Sequence, residues 1–184
     1  MPLFHHKSQL SDARKPSGPA TSQPSSAKAS ASSISARQQA AEGLAGLLQQ
    51  SVEDRSAIAQ AVNDVDQCGP NLNQDPQTFN AAASSRQNLL TELADLPGRS
   101  ALSPDMLAAL TSAWQNSITA DRDFAQWAQD EISRGCTQND QSDPGAQAAV
   151  GPDDQATTSK QTFVSLWNPV AAQYGLPSYQ WNQL

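Results

Sequence analysis

The stretch from Ser103 to Cys136 carries the signals of one long amphipathic α-helix. Ser103 followed by Pro104 is typical of an N-cap with proline at the first helical position. Arg134 and Gly135 supply a basic last turn and a glycine terminator. Between these ends, apolar residues recur every three or four positions, which predicts one continuous apolar stripe along the helix. The stripe comprises Met106, Leu107, Leu110, Trp114, Ile118, Phe124, Trp127, Ala128 and Ile132.

Three further segments have the helical periodicity needed to cover this stripe. Residues 34–67 and 75–96 are each followed by a proline-glycine or glycine-proline pair that ends a helix. A fourth helix is predicted over 154–174, capped by Asp153 or Asp154, after an irregular stretch; Pro169 should kink or split it. Aromatic residues make up only 5% of the chain and β-branched residues are also scarce. We therefore expect an all-α protein, an antiparallel four-helix bundle.

The N-terminal 33 residues differ from the rest in composition. They are rich in Ser, Ala, Pro and Lys without a hydrophobic period, which predicts a disordered arm or stalk before one bundle domain at 34–184. Residues 1–37 carry five basic residues against one acid, so the remaining residues carry six basic and seventeen acidic ones, a net charge of −11. Because this negative charge repels phosphate backbones, we do not expect the folded part to bind nucleic acid. The basic arm is either a solvated tail or a contact for anionic lipid or polymer.

The two cysteines follow the predicted ends of the first and third helices. In an up-down-up arrangement these ends lie side by side, so Cys68 and Cys136 are expected to form a disulfide. The alternative is two unrelated buried thiols, and a metal site is not expected without nearby histidines. Such bridges persist outside the cytoplasm. The N-terminus argues against an extracytoplasmic location, because it lacks the apolar core of a signal peptide. The sequence also contains no run of about 18 apolar residues, so no membrane span is predicted.

A polar layer interrupts the predicted apolar stripes. Arg55, Arg86 and Asp121 stand between apolar neighbours on the first three helices, at about the same height in the bundle. We expect a partly buried ion network that sets the register of the helices, or alternatively an anion site that uses the spare arginine. A neighbouring acid or a carbonyl would complete it; the acids are Glu53, Asp54 and Asp123.

Catalytic and metal-binding patterns are missing from the sequence. The only histidines are His5 and His6 in the arm, and no glycine-rich phosphate loop, nucleophile elbow or paired-cysteine motif is present. The acidic stretch that contains Asp140, Asp143 and Asp153 does not have the spacing of a calcium-binding loop. We therefore predict a protein that is not an enzyme and that needs no cofactor or metal.

Four segments carry a family resemblance. They are DRSAIAQAVNDVDQCGPNL (54–72), SRQNLLTELADLPGRSAL (85–102), DFAQWAQDEISRGC (123–136), and GPDDQATTSKQTFVSLWNP with QYGLPSYQWNQL at the C-terminus. Over residues 35–184 the chain resembles a family of uncharacterised, secreted or membrane-anchored helical proteins of actinobacteria. The resemblance implies an extracytoplasmic location and paired cysteines, and no chemistry. The resemblance implies a basic segment and one apolar membrane helix ahead of a stalk. The first 33 residues have the stalk-like composition without the apolar segment, so we expect either that the true start lies upstream or that the anchor is lost.

Three functional hypotheses follow from these patterns. The first is a non-enzymatic, extracytoplasmic interaction or envelope-associated module with an unknown protein or cell-envelope partner. The second is a cytoplasmic helical adaptor or oligomerisation module, favoured by the missing signal peptide. The third is a small-ligand or anion binder that uses Arg55, Arg86 and Asp121.

Overall fold

The computed structural model describes the backbone of residues 25–184 and the side chains of residues 31–184, and in this range it is all-α. Short connections join the helices in antiparallel order, which confirms the predicted four-helix bundle. The helices are α1 (Ser25–Gln67), α2 (Asp75–Ala94), α3 (Pro104–Arg134) and α4 (Pro144–Tyr174), with single 3-10 turns at Arg99–Ala101 and Trp181–Gln183.

The helix α3 lies at the centre of the packing. It packs extensively against α4 on one side and α2 on the other, whereas α1 packs mainly against α2. Direct contacts between α1 and α4 are few. The side of the bundle between α1 and α4 is open near the C-terminal end of α1, whereas farther along the bundle both helices contribute to one buried apolar cluster.

The predicted signals for α3 are present in the structure. The Ser103 Oγ accepts a hydrogen bond from the Met106 backbone N–H at 3.4 Å, Pro104 is the first helical residue, and the helix ends at Arg134. Most of the predicted stripe is buried, including Trp114 and Trp127. The exception is found in the last turn, where Ile132 is 38% exposed.

The helix α1 begins earlier than predicted. Its first residue is Ser25, but the side chains from residue 31 to Ser35 are exposed, and packing against the bundle starts only at Ala36. The part of the predicted arm over residues 1–24 lies outside the described residues. Gly98 packs on this region with a left-handed φ of 71°, where an added Cβ would lie 2.9 Å from the Ala36 carbonyl oxygen.

The prediction for the start of α4 was wrong. The helix begins at Pro144 and is capped by Asp143, so most of the stretch expected to be irregular is helical. An added Cβ on Gly145 would lie 2.6 Å from the Trp127 backbone nitrogen, which shows how closely this first turn approaches α3. Packing of this kind overrides the low helix propensity of glycine and proline. The helix also continues through Pro152 and Pro169, so the alternative of a split at Pro169 was wrong.

Buried apolar residues form two clusters, one near each end of the bundle. The larger cluster receives the C-terminal tail, because Leu184 is only 1% exposed and packs within it. The Trp167 indole N–H donates to the Pro177 carbonyl at 2.9 Å, and Asn168 forms two hydrogen bonds with the Tyr179 backbone. The smaller cluster lies near the ends of α1 and α3. Tyr179 thus docks on the larger cluster, while Trp181 remains 40% exposed.

Candidate functional site

The predicted disulfide is present at one end of the bundle. Cys68 directly follows the last residue of α1 and Cys136 lies two residues after the last residue of α3; the two are joined with their Cα atoms 5.7 Å apart. Hydrogen bonds to α1 extend this link into the loop that follows. The Asn139 N–H donates to the Asp66 carbonyl at 2.8 Å, and the Gln141 side chain donates to the Asp66 carboxylate at 3.0 Å.

An ion cluster fixes the start of α4 beside the disulfide. The Arg134 guanidinium lies 2.6 Å from the buried carboxylates of both Glu131 and Asp143. The other Asp143 oxygen accepts the backbone N–H groups of Gly145 and Ala146, which caps the helix. Asp143 therefore has a structural role, and the acidic stretch is not a freely solvated loop.

The predicted polar layer lies between the two apolar clusters. Arg86 of α2 and Asp121 of α3 form a hydrogen-bonded ion pair, and they are only 1% and 3% exposed. The Trp114 indole N–H donates to the Ser51 hydroxyl at 3.0 Å in the same region. The structure thus brings two of the three predicted layer residues into direct contact.

The third predicted residue, Arg55, is half-buried and forms no hydrogen bond or ion pair among the described residues. Its neighbour Asp54 is 8% exposed instead, and its Oδ1 accepts a hydrogen bond from Gln50 at 3.2 Å. The Asp54 Oδ2 is buried with no hydrogen-bond partner in this part of the chain. The α1 helix therefore buries the acid Asp54 in the layer, while Arg55 lies near Lys160 without an ion-pair partner among the described residues.

Sequence reasoning missed Lys160, which α4 contributes to the same layer. Lys160 is only 6% exposed. The pKa of Lys160 is lowered to about 7, mainly by burial and also by the nearby positive charges of Arg86 and Arg55. Burial also raises the pKa of Asp121 to about 6, against the opposing effect of Arg86. The helical spacing of Ala156, Lys160 and Phe163 was a signal that could have identified this lysine.

The chemistry of the layer is that of compensated buried charge. The cavities next to Val62, Asp64 and Leu107 are lined by other side chains, not by Arg55, Arg86, Asp121 or Lys160. The guanidinium that is fully buried already has a carboxylate partner. This arrangement suits a layer that sets which faces of the helices meet.

A second acid pair lies where α1 leads into α2. Asp75 is 3% exposed and lies against Asp64, whose Oδ2 accepts the Asn71 backbone N–H at 2.8 Å. The pKa of Asp75 is raised to about 7, first by burial and then by the charge of Asp64 and a hydrogen bond between the two carboxyl groups. Gly69 packs closely against this pair, because an added Cβ would lie 1.9 Å from the Asp64 Oδ1 and the Asp64 carboxylate would have to move.

A crevice of about 450 Å³ lies on the open side of the bundle, between α1 and α4. Aromatic side chains of α3 line it, and aspartates of α1 and α4 border it. Cavities of this size are typical of small-ligand sites in proteins. Sequence analysis did not find it, because its residues come from three helices and one loop. Its lining includes Val62, Asp66, Phe124, Trp127, Val150, Asp153 and Asp154.

Comparison of the chain with protein-family models, curated proteins and solved structures finds no match. Within residues 25–184, no group of three or more histidines, cysteines or acids is arranged to hold a metal ion. Over the same range, no helix combines the length and the hydrophobicity that crossing a membrane requires.

Proposed function

We propose that this chain is a non-enzymatic binding module that works outside the cytoplasm. The observation that carries the proposal is the Cys68–Cys136 disulfide, which joins the ends of two helices that are 68 residues apart in sequence. A bridge that closes a loop of this length stabilises a fold by about 4 kcal/mol on the chain-entropy model. That contribution is available only in an oxidising compartment.

The surroundings of the bridge support the proposal. The loop after Cys136 is held to α1 by backbone and side-chain hydrogen bonds at Asp66, and it leads into the capped start of α4. The resemblance to secreted or anchored helical proteins of actinobacteria agrees with export. The crevice beside this end offers a surface for a ligand, and a reducing compartment would loosen the loop that borders it.

The test is the redox state of the two cysteines in the native host. Intact cells are treated with a membrane-permeant thiol reagent before lysis, and the chain is then analysed by mass spectrometry. We expect no label on Cys68 or Cys136 unless the protein is reduced first. The variant Cys136→Ser provides a control, because it should carry one label on Cys68 after denaturation.

Two labelled cysteines in folded protein from native cells would contradict the extracytoplasmic proposal. That result would instead favour a helical adaptor of the reducing cytoplasm. A fractionation of the same cells, assayed with an antibody to the chain, provides an independent check on the compartment.

A further inference from the structure

The open side of the bundle has a shape that suits an inserted side chain. Because α1 and α4 make few direct contacts, α3 is left as the floor of the crevice between them. The floor contains Phe124 and Trp127, whose ring centroids lie 6.2 Å apart with the rings tilted by 53°. Val62 and Val150 add apolar wall, and Val150 is 57% exposed although it is a large apolar residue. An apolar stem of a ligand can therefore be buried here.

The residues at the mouth of the crevice are acidic. Asp66 of α1 and Asp153 and Asp154 of α4 border it, and no lysine or arginine lines it, although the buried Lys160 lies near Asp153. Among the residues described, none of these three aspartates forms an ion pair with a basic side chain. Residues 38–184 carry a net charge of −11, so the surrounding field also attracts cations. An anion would be repelled from this site.

The floor provides a further feature for recognition. The faces of aromatic rings attract ammonium and guanidinium groups. Phe124 is partly exposed, whereas Trp127 is only 3% exposed and its indole Nε1 is buried. A basic residue of a polypeptide combines a cation with an apolar stem of the kind that this floor can cover.

We infer that this crevice binds a lysine or arginine side chain of a partner polypeptide. The stem packs against Phe124 and Trp127, and the charged end meets Asp153 and Asp154 at the mouth. The inference rests on the proposed binding function and not on the proposed compartment.

The test uses three short peptides that differ at one side chain. The peptides are acetyl-Ala-Lys-Ala-amide, the same peptide with Nε-acetyl-lysine, and the same peptide with norleucine. They are titrated into the full chain, and binding is followed by the indole N–H resonances in two-dimensional NMR. We expect the lysine peptide to shift the Trp127 resonance, which Trp127→Phe assigns, with a Kd at least about fivefold lower than those of the neutral peptides.

Surface variants test the role of the charge at the mouth. The double variant Asp153→Asn/Asp154→Asn is expected to weaken binding of the lysine peptide by about fivefold and to reduce its dependence on salt. The control is Glu53→Gln/Glu92→Gln, which removes the same net charge from exposed positions elsewhere and should leave the Kd unchanged. All four positions are at least partly exposed, so these variants are expected to fold.

Several outcomes would overturn the inference. Equal affinity for the lysine and norleucine peptides would remove the role of charge, and shifts confined to other tryptophans would place binding elsewhere. Equally tight binding of free n-butylammonium would identify a small amine, not a polypeptide, as the ligand. In a further variant, Lys7, Arg14 and Lys15 are replaced by alanine in the full chain. If this replacement alone shifts the Trp127 indole resonance, the occupant of the crevice is the N-terminal arm of the same chain. Each result is independent of the thiol test, so this inference and the proposed compartment can fail separately.

Discussion

Buried charged residues stand at the middle of every helix of this bundle, and each depends on a particular neighbour. Arg86 and Asp121 compensate each other directly, while Lys160 lies close to them without an ion pair among the described residues. Removing both members of a buried pair is often harmless, whereas removing one leaves a charge without a partner. The layer is therefore most sensitive to single substitutions.

We predict that Arg86→Met lowers the free energy of unfolding by about 3 kcal/mol. The reason is that Asp121 would remain buried without its partner, and Lys160 would replace the lost charge only in part. The double variant Arg86→Met/Asp121→Leu should recover most of this loss. Urea unfolding of the three proteins measures both effects. If the double variant is as unstable as the single one, the pair stabilises the fold by more than the mutual compensation of its two charges.

The acid pair at the start of α2 makes stability depend on pH. The pKa of Asp75 is raised from 3.8 to about 7, so between these values the folded state holds a proton that the unfolded chain has released. The stabilising contribution is complete below about pH 4 and is lost as the pH rises through 7. Asp121, with its pKa raised to about 6, contributes in the same direction over a narrower range.

We predict that Asp75→Asn reduces the loss of stability between about pH 4 and about pH 8 by about 1–2 kcal/mol. The amide has no proton to release, and its N–H can still donate to Asp64. Urea unfolding at both pH values measures the difference. Glu92→Gln, an exposed acid on the same helix, is the control and should retain the full pH dependence. An unchanged slope in Asp75→Asn would contradict the assignment.

At the scale of single elements, the ends of the helices show how local signals and packing combine. The cap of α3 at Ser103 and the stop at Gly135 are local and occur where the sequence places them. The start of α4 is different, because Asp143 both caps the helix and binds Arg134 of α3. A tertiary ion pair thus selects which of several aspartates begins the helix.

We predict that Asp143→Ala lowers the free energy of unfolding by about 2 kcal/mol, while Asp143→Ser costs about half as much. Serine can still accept the backbone N–H groups of Gly145 and Ala146 but loses the ion pair with Arg134. Hydrogen exchange of these two amides measures fraying of the first turn. Equal protection in the alanine variant and the unaltered chain would show that packing alone holds the start of α4.

At the scale of the whole molecule, the disulfide ties the end of α1 to the end of α3, with which α1 makes few close backbone contacts. α1 contacts mainly α2, so the bridge to the end of α3 limits how far α1 can move from the rest of the bundle. The crevice lies between α1 and α4, and its width therefore depends on this link. The stability of the fold and the geometry of the crevice are coupled through one covalent bond.

We predict that Cys68→Ala/Cys136→Ala lowers the free energy of unfolding by about 4 kcal/mol. The loss arises mainly because the unfolded chain gains conformational entropy. Guanidinium unfolding under oxidising conditions measures this effect, with reduced unaltered protein as the comparison. A change below about 1 kcal/mol would show that the loop closed by the bridge is already restricted in the unfolded chain.

Much of the fold was predictable, because its signals are local. Apolar periodicity and terminators located α2 and α3 and the end of α1, and the positions of Cys68 and Cys136 after two of these ends indicated the bridge. The prediction failed for α4, where Gly145, Gly151 and Pro152 suggested a loop. Close packing on α3 compensates for their low helix propensity, and packing partners are not visible in a local pattern.

The site was less predictable than the fold. On α1, both Asp54 and Arg55 fit between buried positions three and four residues away, so periodicity alone could not choose between them. The buried face runs through Ser51 and Ala61, which are small or polar and gave a weak hydrophobic signal. Lys160 was missed because a lysine at a core spacing is normally assigned to the surface.

The sequence by itself determined the elements of this protein: helices, most of their ends, and two cysteines placed to meet. These properties follow from hydrogen bonding and side-chain periodicity within a few turns of one helix. The tertiary structure alone decided that α1 and α4 stand apart, that α3 forms a floor between them, and that three aspartates border the opening. The physical reason is that the relative placement of helices depends on contacts between residues far apart in the chain, which no local pattern contains.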